Sequence, residues 1–243
     1  MKIYYNSVGY NTVNVKGGKM NLLTVSFEAI GNANGNATLN DVMGSNGLTS
    51  YKDDFVTAGD YVQTWDMEKG NWGSIYYYMD LGSIDASLAD TWVDDLFTPN
   101  DVELAPGSSF WLYANVDIPA LQFAGQVTTT ASSYTLTGGK MNLCGNPYPT
   151  TLNLNDKSQV VITGMTSYKD DFVTAGDYVQ TWDLSIANWG PIYYYMNLGS
   201  IDASLADTWV DDLFTPVVTS IAAGSGFWYY AAGDGVTFTF PAM

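Results

Sequence analysis

The chain contains no histidine, no arginine, one cysteine and only eight lysines. Each shortage removes a class of chemistry. Without histidine, the Ser-His-Asp and Cys-His nucleophile systems lose their base, and a zinc site loses its usual nitrogen ligand. Without arginine, nothing can make the bidentate contacts that favour phosphate and guanine. A formal net charge of −17 adds repulsion, so nucleic acid and anionic membrane surfaces are excluded as partners. A single cysteine excludes an internal disulfide framework. No apolar run reaches the roughly 18 residues of a transmembrane segment. The first ten residues lack the apolar stretch of a signal peptide.

What the chain has in abundance is repetition. TSYKDDFVTAGDYVQTWD at Thr49–Asp66 returns unchanged at Thr166–Asp183, and LGSIDASLADTWVDDLFTP at Leu81–Pro99 returns at Leu198–Pro216. The offset is 117 in both cases. GGKMNL recurs from Gly17 at Gly138 with an offset of 121, which places four surplus residues in the first copy, most simply in GNANGN at 31–36. APGSSFWLYA from Ala105 matches AAGSGFWYYA from Ala222. A repeat defines the unit to be explained. Here it predicts a first β-domain over 1–124, with an N-terminal strand or arm over 1–10, and a second over 125–243.

Local patterns are those of strands and tight turns. Tyr61–Trp65, Ile75–Met79 and Phe110–Tyr113 are short, aromatic and bounded by Gly, Asp and Asn. Strand alternation puts Ile75, Tyr77 and Met79 on one face and Tyr76 and Tyr78 on the other, so each face carries large apolar area: one makes the core, and the other is either covered by a second layer, a neighbouring domain or another molecule, or left as an amphipathic tyrosine surface. Pro106-Gly107 predicts a type II turn whose glycine recurs as Gly224 while the proline does not. Gly17-Gly18 and Gly138-Gly139 read as hairpin turns. Ile84–Ala89 and its copy allow a single helical turn. The fold class is all-β, as two tandem homologous β-sandwich or partly open β-barrel domains related by a pseudo-twofold or a screw. The differences Asp80/Asn197, Ser74/Pro191 and Leu112/Tyr229 are expected at surfaces or edges. Cys144, opposite Leu23, reads as a small buried hydrophobe.

Three uses of the recurring residues remain. Carboxylates are the only catalytic groups available in number, and a glycosidase needs two of them flanking a cleft; no pair stands out, and the aspartates read better as turn residues, so the chain is expected not to be an enzyme. Calcium is the cation that the YKDDFVTAGDY loop suits, through Asp53, Asp54 and Asp60 and their copies Asp170, Asp171 and Asp177. The eight tryptophans, all paired between copies, and eighteen tyrosines offer stacking faces for a polysaccharide, with Trp72, Trp189, Tyr76, Tyr78, Tyr193 and Tyr195 as candidates. Finally, Met1 to Lys16 aligns with the interdomain junction. Ile3, Tyr4, Tyr5, Val8 and Tyr10 are therefore expected to add as an edge strand to a neighbouring copy of the chain, giving an open head-to-tail polymer.

The series VGYNTV, GGKMNL, GDYVQTWD, NWG with IYYYM, DTWVDD and PGSSFWLYA resembles secreted domains of bacteria of the Planctomycetes and Verrucomicrobia group. NLCGNPYP is similar to an element of secreted Bacteroidetes β-domains. The resemblance implies export, an all-β domain and an extracellular or cell-surface setting, with no activity attached. The leading expectation is a self-assembling surface protein in the form of a filament, tube or layer; a carbohydrate-binding module is the alternative.

Overall fold

The computed structural model describes residues 7–30, 37–51, 59–67, 69–99, 103–168 and 175–242. The GNANGN segment therefore lies outside the described residues. The first repeat forms β1 (Val8–Val15), β2 (Lys19–Thr24), β3 (Tyr61–Asp66), β4 (Asn71–Met79), β5 (Thr91–Val93), β6 (Ser109–Ala114) and β7 (Ile118–Gln126). The second forms β8 (Ser132–Thr135), β9 (Lys140–Gly145), β10 (Leu152–Asn153), β11 (Val161–Thr163), β12 (Tyr178–Asp183), β13 (Asn188–Met196), β14 (Thr208–Val210), β15 (Ser220–Ile221), β16 (Gly226–Ala231) and β17 (Thr237–Phe240). Among the described residues helix is confined to α1 (Leu39–Val42) and one 3₁₀ turn per repeat, Ala86–Leu88 and Ala203–Leu205. None is long and apolar enough to cross a membrane.

Each repeat is built on a five-stranded antiparallel sheet, in the order β2-β6-β3-β4-β5 and, in the copy, β9-β16-β12-β13-β14. A smaller layer covers one face: β1 paired with β7 in the first repeat, and β8-β17-β11 in the second. The sheets do not close into barrels, so each repeat is sandwich-like. Phe110, Leu112 and Ala114 of β6 point into the first sandwich with Val62, Tyr76, Tyr78, Leu121 and Phe123. Phe227, Tyr229 and Ala231 do the same in the second, with Val179, Phe238 and Phe240.

The glycine pairs are not hairpin turns. β1 and β2 lie in different sheets, so Gly17-Gly18 carries the chain from one layer to the other. Gly18 and Gly139 both have φ of +68°, a conformation that favours glycine. The repeated asparagine of GGKMNL holds each crossover. Buried Asn21 accepts from Lys16 N (2.9 Å) and donates to Lys16 O (3.1 Å). Asn142 does the same with Thr137 (2.9 and 3.1 Å). The turn at Ala105–Ser108 is as expected: Gly107 has φ +92° and Gly224 +72°, each closed by an i to i+3 hydrogen bond.

The opposite faces of the two large sheets pack on each other. Leu22, Trp111, Leu143 and Trp228 form a core shared between repeats, with Met20, Trp65, Met141 and Trp182 against it. The contacts are reciprocal. Trp65 meets Trp228 edge-on (4.7 Å), and their copies Trp182 and Trp111 meet the same way (4.8 Å). Lys19 Nζ donates to Ile186 O (3.0 Å), and its copy Lys140 donates to Lys69 O (3.5 Å). Met67, at the tip of the β3-β4 hairpin, packs on the second sandwich core, and its copy Leu184 packs on the first. Reciprocity of residue i with j and of i's copy with j's copy is the mark of a twofold, so the pseudo-twofold is the operation that relates the repeats.

Near the axis a residue faces its own copy, and there the repeats differ. Thr24 stands opposite Gly145, and a Cβ on Gly145 would overlap the Thr24 side chain. Ser109 corresponds to Gly226, where an added Cβ would lie 2.7 Å from Ser109 Oγ. The freed space is used: Thr24 and Ser109 hydroxyls bond each other (2.6 Å), and Ser109 donates to Cys144 O (2.8 Å). The remaining differences divide. Asp80, Asn197, Ser74 and Pro191 are exposed as expected, but Leu112 and Tyr229 are wholly buried, because β6 and β16 are central strands with both faces covered.

Gly145→Thr should destabilise the protein by about 1–3 kcal/mol, the usual cost of overfilling a packed site. Because Ser109 Oγ also lies 2.5 Å from a Cβ added to Gly145, combining it with both Thr24→Gly and Ser109→Gly should recover most of the loss in urea unfolding; equal instability of the single and combined variants would contradict the axis assignment.

Candidate functional site

Between the two large sheets the tryptophans leave an open groove of about 580 Å³ lined by Met20, Tyr61, Gln63, Trp72, Trp111, Trp182, Trp189 and Trp228. Trp111 and Trp228 form its buried base, whereas Trp72 and Trp189 keep 51% and 39% of their surface exposed. The rings are locked at right angles: Trp65–Trp72 at 85°, Trp182–Trp189 at 89° and Trp111–Trp189 at 78°. The indole N–H groups of Trp65, Trp111 and Trp182 are buried without an oxygen or nitrogen acceptor. Their neighbours are π faces, the weak acceptors this edge-to-face packing supplies.

Trp72 and Trp189 are thus exposed, as the sequence predicts, but they lie in β4 and β13 rather than in turns. A bulge decides which way they point. Gln63 pairs with Ile75 but Trp65 pairs with Trp72, so β4 holds an extra residue there. Gly73 sits tight against the Thr64 hydroxyl, with no room for a side chain. The bulge reverses the alternation and turns Trp72 onto the face of Trp65. The second copy repeats the shift between Gln180 and Trp182.

The tyrosines assigned to a ligand are on the other face, and that assignment is corrected. Tyr76, Tyr78 and Tyr195 are buried in the sandwich cores, and Tyr193 packs against the second. The Tyr78 hydroxyl donates to Asp90 Oδ1 (2.7 Å) and Tyr195 to Asp207 Oδ1 (2.9 Å). Burial, with the carboxylate beside it, pushes the Tyr195 phenol up to about 12. Their sequence neighbours form the accessible array. Tyr77, Tyr61 and Tyr113 lie side by side across β4, β3 and β6, with Tyr61 and Tyr113 stacked at 5.1 Å. Tyr194, Tyr178 and Tyr230 repeat the row.

At the end of each row is a pocket, and the two pockets are copies. One, of about 330 Å³, is lined by Tyr51, Tyr77, Met79, Val93, Asp94, Asp95 and Phe97. The other, of about 250 Å³, is lined by Tyr168, Tyr194, Met196, Asp211, Asp212 and Phe214. Tyr51 and Tyr77 meet at 82°, Tyr168 and Tyr194 at 86°. Phe97 and Phe214 have φ of 63° and 62°, a strained conformation for a bulky residue. The turn that imposes it is closed by Asp94 Oδ1, which accepts from Leu96 N (2.9 Å) and Thr98 N (2.8 Å); Asp211 does the same for Leu213 and Thr215. No sequence motif marks these pockets, because their walls come from three separate segments.

Of the proposed calcium ligands, Asp53, Asp54, Asp170 and Asp171 lie outside the described residues. Asp60 and Asp177 are described, and their surroundings do not fit a cation. Both are wholly buried and faced by donors. Asp60 accepts from Thr49 N (2.9 Å), Asn115 N (2.8 Å) and Asn115 Nδ2 (3.0 Å). Asp177 accepts from Thr166 N, Ala232 N and the Tyr229 hydroxyl. Each pins the loop entering its central strand. Among the described residues no group of three or more acidic or thiol side chains is gathered as for a metal.

Of the expected N-terminal arm, Ile3, Tyr4 and Tyr5 lie outside the described residues. Val8 and Tyr10 belong to β1 and pair with Gln126 and Ala124 of the same chain. They complete their own sandwich, as β8 does in the second repeat, so they are not a free arm. Cys144 is buried, and burial pushes its thiol up to about 12, which suits the packing role expected of it.

Asp85, Asp156, Asp183 and Asp202 each accept from the N–H and hydroxyl of the serine two residues on. These bonds hold all four carboxyls below the ordinary 3.8, the backbone bond leading for Asp85 and Asp202 and the hydroxyl for Asp156 and Asp183. Their contribution is complete above pH 3.8 and is lost as pH falls through the lowered values. Asp177 is shifted the other way, raised by burial against the pull of its donors, so its contribution declines as pH rises above 3.8. Replacing the four turn aspartates with alanine should flatten the acid limb of thermal stability below pH 3.8; an unaltered limb would contradict it. Tyr229→Phe, which removes a 2.8 Å donor from buried Asp177, should cost about 1.5–3 kcal/mol in urea unfolding, and a loss within error of zero would show that the bond contributes nothing.

Comparisons with protein-family models, with curated proteins and with solved structures each returned no match.

Proposed function

We propose that this protein is a non-enzymatic, extracellular binding protein that takes a polysaccharide chain in the tryptophan groove between its repeats. The observation that carries the reading is the exposure of Trp72 and Trp189 at the mouth of a groove whose base is already filled by Trp111 and Trp228. Sugar rings present a flat C–H face and a rim of hydroxyls. Fixed indole faces suit the first, and the Gln63 amide and the Tyr61 hydroxyl beside them suit the second. The aromatic packing that holds the repeats together also fixes the platform, so little ordering is left for ligand binding to bear. Self-assembly is the second reading. It is favoured by the position of β1 at the end of its sheet, an edge where Val8 and Tyr10 remain exposed and a further strand can be added.

A glycan array followed by affinity electrophoresis in polysaccharide gels tests the proposal. Trp72→Ala and Trp189→Ala should each weaken retention about tenfold, a stacked ring contributing on the order of 1–2 kcal/mol. Undiminished retention of the double variant would overturn the groove as the site.

A further inference from the structure

The paired pockets at the ends of the tyrosine rows have a chemistry unlike that of the groove. We propose that each is a receptor for an organic ammonium ion, a quaternary or alkylated amine, so that one chain holds two.

Two walls of each pocket are tyrosine rings set nearly perpendicular at 5.1 and 5.3 Å. The strained phenylalanine, Phe97 or Phe214, forms a third. The floor is apolar, with Met79 and Val93 in one copy and Met196 in the other, all buried. Among the described residues, the charged groups in each lining are carboxylates: Asp94 and Asp95, or Asp211 and Asp212. Perpendicular electron-rich rings attract a cation over their faces, and the carboxylates at the mouth supply the counter-charge.

The alternatives fit less well. A metal ion needs several oxygens converging on one point, whereas these pockets offer an apolar floor and carboxylates on one side. A neutral apolar guest does not account for two acids at the mouth, and an anion is repelled by them. Among the described residues no lysine is paired with these carboxylates; the one salt bridge there joins Lys69 to Asp66. Burial, then the neighbouring tyrosines and Asp60, keep the Tyr51 phenol above its ordinary value and therefore neutral; in Tyr168, burial followed by Tyr178 and Tyr194 does the same.

The probe is choline, titrated into the full chain and followed by the ligand N-methyl proton signal. The neutral isostere 3,3-dimethylbutan-1-ol serves as the control. Choline should bind at two sites per chain with its N-methyl signal moved upfield by the rings, and the isostere should bind about tenfold more weakly, as expected for loss of a desolvated cation–π contact. Tyr77→Ala should remove one site, and Tyr77→Ala with Tyr194→Ala should remove both. Asp95→Asn with Asp212→Asn, at exposed positions that leave the fold intact, should weaken choline and leave the isostere unchanged. A peptide carrying one trimethyllysine distinguishes a protein source of the cation from a small molecule. The proposal is overturned by equal affinity for choline and its isostere, by absence of saturable choline binding, or by choline affinity unchanged in the aspartate double variant.

Discussion

The large sheet of each repeat is apolar on both faces, and such a sheet needs two partners. One face finds its partner within the repeat, in the small layer of β1 and β7 or of β8, β17 and β11. The other finds it only in the second repeat. The edge-on pairs of Trp65 with Trp228 and Trp111 with Trp182 are the centre of that contact, each contributing about 0.5–1.5 kcal/mol beyond the area it buries. Met67 and Leu184 extend it by lending each sandwich a side chain from the other. The two repeats are therefore halves of one packed body, in which either half alone would leave a tryptophan face in water.

The exposed aromatics are where this packing stops. Two sheets related by a twofold cannot cover each other to the last residue, and their uncovered margins are of two kinds. At one the tryptophans open into a shared groove. At the others the tyrosine rows run out from under the partner sheet and end in pockets, one per repeat. The bulge at Gly73 determines which aromatics reach the first margin, and the Asp94 turn determines which reach the second. Backbone irregularities thus set the chemistry of the surface while the regular strands set the core.

Much of the architecture was legible in the sequence. The alternation in IYYYM correctly indicated a sheet apolar on both faces, and Pro106-Gly107 indicated its turn. Which face met ligand was not legible, since one inserted residue at Gly73 reverses the parity on which the choice between Tyr76 and Tyr77 depends. The glycine pairs misled for a related reason: a positive-φ turn looks the same whether it joins paired strands or two layers. Asp60 and Asp177 resembled cation ligands because an acid that binds loop N–H groups and one that binds calcium carry the same local signature, and only the donors around them separate the two. The pockets left no trace because Tyr51, Tyr77 and Asp94 meet only through tertiary structure.

The threonine and glycine that face each other across the axis bear on how the chain chooses its own partner. Two near-identical halves have three ways to pair: first with second, first with first, or second with second. Like pairing of first halves in neighbouring chains would drive Thr24 into Thr24, and like pairing of second halves would set Gly145 against Gly145 and leave a hole. Only the mixed pair fits, and within one chain it is also the nearest. A single methyl-bearing side chain at the axis thereby favours the union of unlike halves over that of like ones.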